Sequence, residues 1–362
     1  MFLRNWWYVV AWSHEVPSGE LVARRVLNEP IVLYRKQDGT VSALEDRCCH
    51  RLAPLSRGRL EGDDLRCMYH GIKFAASGQC IEIPGQDRIP SGVSVRTYCV
   101  VEQDRWIWVW MGEVARADAS LIPAALGHED PNYIIDTGEL TYDANYQLIH
   151  DNLLDLTHLC YVHENTLGRK NPEWGRAQPT VESLRYGVRV ARWIRNHTVP
   201  PYMSASPSMR VDQWSTYDFV VPGVFLLTTT LYPVGIADAH PHGPIDLRPL
   251  YTSVTSQAVT PVSEQETIYR YSGGQPVWHA TEETVKAQLA AFDVAFLEDK
   301  AMIEAQQKVI DHSPGKWMMT LGFDRSVAQF RRLMADLIDS ETSPGEPRSS
   351  PLPEPVVATP AS

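Results

Sequence analysis

The chain has 362 residues, 44% apolar and 21% charged, with a formal net charge of -11. That length exceeds what one core usually takes and implies two domains and a tail. The acidic balance argues against nucleic acid or an anionic membrane as main partner, since both demand a basic surface.

The start, Met1-Phe2-Leu3-Arg4-Asn5-Trp6-Trp7-Tyr8, lacks the basic stretch, apolar run and small-residue cleavage site of a signal peptide. The most apolar runs, Trp106 to Met111 and Val220 to Leu231, are too short to span a bilayer. A cytoplasmic protein is expected. In that compartment six cysteines read as thiols or metal ligands rather than disulfides.

Residues 1–118 read as an all-β domain. Ile31 to Tyr34, the turn Gln37-Asp38-Gly39 and Val41 to Leu44 make a hairpin. Val93 to Val101 and Trp106 to Trp110 make a second pair around Glu102 to Arg105, with the Trp-rich run as core. Between them a Gly-, Pro- and Arg-rich stretch carries its cysteines and histidines on loops. The composition turns loop-like around Glu113 to Asp130, which places a second domain at 119–340. There Thr141 to Asn165 starts extended and turns helical. Strands are expected at Ser183 to Arg195, Asp212 to Leu231, Tyr251 to Val259 and Glu266 to Tyr271. One long helix is expected from Ala280 to Val309, its start marked by Thr281 with Glu283 and Thr284. Residues 341–362, rich in Pro, Ser and Glu, read as a disordered tail.

Cys48-x-His50 and Cys67-x-x-His70 place one cysteine and one histidine on each of two loops. Zinc accepts two of each, but usually takes its cysteines from one knuckle and its histidines from another. A [2Fe–2S] cluster with both thiolates on one iron and both imidazoles on the other suits the mixed loops better. Two unrelated loop clusters with free thiols are the bland alternative. Cys49 lies between Cys48 and His50, so on an extended loop it faces the other way.

The second constellation is "HDNLLDLTHLCYVHENTLG". His158 and His163 are five apart and would diverge on one helix, so His158 is expected at a helix end with His163 just beyond. Asn152, Asp155 and His158 are spaced by three and would share a helical face. That makes Asn152 and Asp155 candidate catalytic neighbours, with the Asp155 carboxylate placed to accept the second N–H of His158. Two histidines suggest the two-His-one-carboxylate face that holds ferrous iron. The carboxylate candidates are Asp293, Glu298 and Asp299. The apolar stripe Leu289, Phe292, Phe296, Ile303, Gln306 contains Asp299, has Asp293 at its edge and leaves Glu298 on another face. A charge in an apolar face is costly unless it is paired or binds metal, which selects Asp299.

The runs Cys48-Cys49-His50-Arg51-Leu52-Ala53-Pro54-Leu55-Ser56 and Cys67-Met68-Tyr69-His70-Gly71-Ile72-Lys73-Phe74 resemble the oxygenase components of Rieske non-haem iron oxygenases. Cys49 stands where that family usually has proline. "NLLDLTHLCYVH" and "NWWYV" are most similar to the branch with vanillate and dicamba O-demethylase oxygenase components. The resemblance implies an α+β chain, with an all-β Rieske domain followed by a helix-grip catalytic domain whose antiparallel sheet wraps a long helix. It implies a [2Fe–2S] cluster on Cys48, His50, Cys67 and His70, and Fe(II) on His158, His163 and Asp299, the last within Leu297-Glu298-Asp299-Lys300 at the family's third-ligand position. It also implies a homotrimer in which Asp155 links His70 of one subunit to His158 of the next.

The function implied is that of a terminal oxygenase using O2, with electrons from NAD(P)H through a separate reductase, alone or with a ferredoxin. Its expected substrate is a small hydrophobic or aromatic compound, and its favoured reaction is O-demethylation of an aromatic methyl ether. N-dealkylation, and ring or methyl hydroxylation, are the alternatives within the class; a non-catalytic Rieske electron carrier is the alternative outside it. No Gly-rich dinucleotide fingerprint occurs, so the reductase is another protein. Cys80, Cys99 and Cys160 read as small buried residues, and His240 and His242 as surface-loop residues. Gly71 is expected to let the backbone pass close to the cluster. His197 and His279 are possible pocket residues without support from spacing, and no carboxylate-binding arginine stands out.

Overall fold

A computed structural model describes residues 1–167, 173–203, 209–244, 246–316 and 318–342. The chain divides into two units: Met1–Ala124 with Thr260–Ile268, and Ala125–Val259 with the chain from Tyr269 onward. The expected tail lies outside the described residues from 343, and its first two positions, Glu341 and Thr342, end the helix Arg325–Thr342. No helix among the described residues is long and apolar enough to cross a membrane.

The first unit is built of small sheets. Trp7–Trp12 and Trp106–Trp110 pair antiparallel, and every residue of both strands is buried. Val100–Gln103 flanks Trp106–Trp110 through a tight turn, where Asp104 and Arg105 both have positive φ (56° and 62°). That conformation matches the natural twist of a two-residue hairpin. The expected hairpin around Gly39 forms the strands Glu29–Arg35 and Val41–Glu45. The expected strand Val93 to Val101 is instead broken, Thr97–Tyr98 joining the Val41–Glu45 edge. A third sheet, Arg59–Glu61, Asp64–Arg66, Lys73–Phe74 and Cys80–Glu82, carries the second Cys/His loop.

The second unit is one seven-stranded sheet in the order Tyr133–Tyr142, Thr267–Pro276, Tyr251–Pro261, Val224–Tyr232, Arg210–Val220, Gly187–Thr198, Thr180–Leu184. The single strand expected over Asp212 to Leu231 is two strands, turning at Pro222-Gly223. The long helix Glu282–Asp311 starts at the expected Thr281, whose side chain accepts from Thr284 N. It packs on the sheet through Phe292, Ala295, Phe296 and Ile303. The ring of Phe296 lies 5.2 Å from Tyr269 and 4.7 Å from Tyr271. Gln307, rather than the expected Gln306, is the buried glutamine at the end of this stripe.

The helix Tyr146–Leu154 sits against the Pro222-Gly223 turn through His150, packed among Tyr146, Phe219 and Phe330. Burial pushes the His150 pKa down to about 3, so the imidazole is neutral. A Cβ on Gly223 would lie 2.4 Å from His150 Nε2 and 3.2 Å from Val259 Cβ. Gly223→Ala is therefore expected to cost about 1–3 kcal/mol by overpacking. A lowered thermal midpoint checks this; an unchanged one would show that the turn has slack.

Candidate functional site

The two Cys/His loops close in the same way. Cys48 N donates to Ala53 O at 2.8 Å and Leu52 N to Cys48 O at 2.9 Å; Cys67 N donates to Ile72 O at 2.8 Å and Gly71 N to Cys67 O at 2.9 Å. Each loop has a positive φ four residues after its cysteine, 57° at Leu52 and 76° at Gly71. Gly71 suits that φ and the close approach of Pro84, whose Cγ would lie 2.8 Å from a Cβ there. Asp46 holds the first loop by accepting from Ser56 N and Oγ, both at 2.6 Å. Arg66 holds the second by donating to Gly71 O at 2.7 Å.

Cys48 and Cys67 are each 2% exposed and share an apolar pocket with Leu55, Leu65 and Phe74. His50 and His70 are exposed, with ring centroids 4.6 Å apart. Burial, with Cys67 beside it, pushes the Cys48 thiol up to about 11 against the opposing His50 backbone N–H. A thiol raised in this way becomes a thiolate with a cation beside it, which is what an iron–sulfur cluster supplies. The donor set fits such a group. Cys49 is exposed, opposite in burial to Cys48. Cys80 is buried as expected, whereas Cys99 and Cys160 are only half-buried.

In the second unit the helix Tyr146–Leu154 ends one residue before Asp155. Asp155 then caps the short 3-10 helix Leu156–Cys160, its carboxylate accepting from Thr157 N at 2.8 Å and Thr157 Oγ1 at 3.0 Å. Asn152, Asp155 and His158 therefore do not share one helical face. The N–H on His158 Nδ1 goes to the backbone carbonyl of Asp155 at 2.5 Å, not to its carboxylate. Because the first helix ends at Leu154, that carbonyl lies outside its hydrogen-bond ladder and can take the imidazole N–H. His163 lies just past the 3-10 helix and is 2% exposed.

Both imidazoles thus direct Nε2 inward. Asp299 Oδ1 lies 3.5 Å from His158 Nε2 and 3.2 Å from His163 Nε2. Ligand atoms of the three residues all fall within 4.8 Å of one another. Asn152 Nδ2 donates to Asp299 Oδ1 at 2.9 Å. Asp299 is buried on the long helix, as the apolar stripe implied. Asp293 instead accepts from Tyr271 Oη at 2.5 Å. Burial lowers the His158 pKa, whereas at His163 the same effect is outweighed by Asp299 and Glu298 and the pKa is raised.

Glu298, which the apolar stripe sets aside as a ligand, has a role beside the site that the sequence did not indicate. Its Oε2 accepts from His163 Nδ1 at 2.8 Å and from Thr166 Oγ1 at 2.6 Å. It fixes the His163 tautomer in the way foreseen for Asp155 and His158. The signal was its place beside Asp299, one residue round the helix. Two imidazole nitrogens and a carboxylate, with His163 and Asp299 buried and His158 half-buried, fit one divalent iron with coordination positions left over.

A cavity of about 90 Å³ adjoins these donors. Leu153, Leu156, Leu159, Phe225, Phe292 and Phe296 make it apolar, while Ser215, Thr229, Thr255 and Gln257 supply polar groups from the sheet. It is smaller than the roughly 150 Å³ that accepts benzene in an engineered core, so an aromatic ring enters only as wall side chains shift. His197 and His279 are absent from its lining. They bond backbone oxygens of Thr198 and Thr252 instead.

Residues 6–98 match the Rieske [2Fe-2S] domain, and residues 142–340 match the vanillate O-demethylase oxygenase C-terminal domain. The chain is 38% identical over 349 residues to the iron-sulfur subunit of the toluene-4-sulfonate monooxygenase system of Comamonas testosteroni, covering 94% of this chain and 98% of that one. It is 31% identical over 350 residues to the vanillate O-demethylase oxygenase subunit of Pseudomonas sp. (strain HR199 / DSM 7063), covering 94% and 96%. A solved structure of dicamba monooxygenase bound to 3,6-dichlorosalicylic acid superposes with a TM-score of 0.86 at 29% identity, over 94% of this chain and 99% of that one.

Proposed function

The chain belongs to the vanillate O-demethylase oxygenase branch of the Rieske non-haem iron oxygenases, and on that premise we propose that it demethylates an aromatic methyl ether. It is the oxygenase component of a Rieske monooxygenase system and draws electrons from NAD(P)H through a separate reductase. When bound, ferrous iron supplies O2 activation and the [2Fe–2S] cluster delivers electrons. One oxygen atom enters the methoxy C–H bond and the other leaves as water, consuming two electrons and two protons. The hemiacetal then collapses to a phenol and formaldehyde.

In this reading Cys48, His50, Cys67 and His70 hold the cluster, and His158, His163 and Asp299 hold the iron. Residues 1–118 and 119–340 are the corresponding electron-inlet and catalytic domains. The observation that carries it is the convergent His158/His163/Asp299 set beside an apolar cavity, which an electron carrier would not need. Glu298 and the Asp155 carbonyl orient the two imidazoles, and Asn152 steadies Asp299. Glu298→Ala is expected to weaken iron retention and turnover by about 10- to 100-fold. Iron content after dialysis checks this, and full retention would remove Glu298 from the site's support.

Methyl hydroxylation is the second reading, favoured by the higher identity to the toluene-4-sulfonate monooxygenase subunit than to the vanillate enzyme. Aromatic ethers and methylarenes, supplied with a surrogate reductase, separate the two: formaldehyde supports demethylation, and a benzylic alcohol alone overturns it.

We also propose a cytoplasmic homotrimer in which Asp155 joins one subunit's His158 to His70 of the next. Support for the assembly comes from exposed apolar tips beside the inlet histidines, Leu52, Met68 and Tyr69. An open groove of about 360 Å³ holds Asn152, Asp155 and His158 and is bordered by the exposed Met302, Met318 and Met319. Free cysteines suit a reducing compartment.

A further inference from the structure

Three arginines lie on the strand Gly187–Thr198, and one is treated differently from the others. Arg189 pairs with Asp218 at 2.7 Å and Arg195 with Asp238 at 3.2 Å, both toward solvent. Arg192 is 2% exposed, and its Nε and Nη2 are buried without a hydrogen-bond partner among the described residues. Its guanidinium carbon lies 5.7 Å from the centroid of the Trp174 ring. Burial lowers its pKa even though Tyr217 and the Asp155 carboxylate lie near enough to oppose the effect, whereas the Asp218 hydrogen bond raises that of Arg189. Leaving a desolvated guanidinium with two N–H groups unbonded costs several kcal/mol, a cost that an incoming anion able to accept from both would relieve.

Strand register shows where that charge would sit. Arg192 stands opposite Ser215, Ser215 opposite Thr229, and Thr229 opposite Ser253. Directly opposed residues share one face of a sheet, so these four form a buried polar row. Ser215, Thr229 and Trp174 line the cavity that also holds His158, His163 and Asp299. The row therefore runs from the cavity wall to the unpaired guanidinium. Arginine's planar fork matches a carboxylate or sulfonate with two parallel N–H donors.

We propose that Arg192, with the hydroxyls of Ser215 and Thr229, binds the carboxylate or sulfonate group of an aromatic acid substrate. This rests on the oxygenase reading of the same cavity and adds to it the substrate's charge. The anchor sets which ring carbon faces the iron donors, so it determines both affinity and the site of oxidation.

The test is binding without turnover, using the iron- and cluster-loaded full chain under anaerobic conditions and no reductase. Probes are 4-methoxybenzoate, 4-methoxybenzenesulfonate and the neutral methyl 4-methoxybenzoate, titrated by calorimetry. The acids are expected to bind more tightly than the ester. Arg192→Gln should weaken the acids by about 30- to 100-fold, the value of a buried charge-assisted hydrogen bond, and the ester by less than about twofold. Arg192→Lys keeps the charge but loses the fork, and should fall between these. The proposal is overturned if the wild-type protein binds the ester as well as the acids, if no acid binds at millimolar concentration, or if the variants lose both classes equally. The preferred acid shows whether carboxylate or sulfonate is the natural group. Formaldehyde release is scored separately. Arg192-dependent acid binding without formaldehyde would keep the anchor and reject demethylation; formaldehyde release without charge preference would do the reverse.

Discussion

Asp299→Ala is expected to lower oxygenation by more than about 1000-fold, a loss of roughly 4 kcal/mol or more of transition-state stabilisation. The [2Fe–2S] absorbance should persist, because its proposed ligands lie on the loops of the first unit, far away in sequence. Iron should fall from about three to about two atoms per chain as the mononuclear site empties. Among the described residues Asp299 Oδ1 is the one carboxylate oxygen close to both inward Nε2 atoms, and it is fixed by Asn152 on a packed helix. Removing it leaves the two inward Nε2 atoms without the carboxylate they share, and among the described residues the neighbouring carboxylates are already engaged. Glu298 is engaged by His163 Nδ1 and Thr166, and Asp293 by Tyr271. Retained turnover would move the third ligand elsewhere and undo the assignment.

How far the site was legible depended on which physical rule governed each residue. Asp299 was selected by cost, since a charge in an apolar helical stripe needs a reason, and it is buried beside the histidines. Glu298 escaped because a stripe argument treats only one face, whereas His163 folds back to meet the next residue round the helix. Asp155 was expected to bond His158 through its carboxylate, which assumed a continuous helix. Once the helix ends at Leu154, the freed backbone carbonyl is the nearer acceptor. The turn at Pro222-Gly223 was visible in the sequence, yet the flanking apolar residues read as one run. Arg192 was passed over, although strand parity marks it. In "VRVARWIR", Arg189 and Arg195 share the odd, outward positions, while Arg192 falls on the even face with Val188, Val190 and Ile194. Charge spaced by three in a strand must put one member inside.

Asp155→Asn should slow turnover by about 10- to 100-fold while leaving the fold and both metal contents unchanged. Asparagine and aspartate are nearly equivalent helix caps, so the amide oxygen can still accept from Thr157 N. The backbone carbonyl that takes the His158 N–H is not altered by the substitution. What is lost is a negative charge in the groove beside His158, close enough to act on the buried Arg192 and Tyr217. If that carboxylate joins the inlet of one subunit to the iron site of another, reoxidation of the pre-reduced cluster by O2 and substrate should slow in step with turnover. Asp155→Ala provides the contrast, because it removes charge and cap together and should cost about 1 kcal/mol of stability as well. A normal rate in the asparagine variant would reject the bridge. Slowing in the alanine variant alone would assign Asp155 to the 3-10 helix and leave electron transfer to other groups.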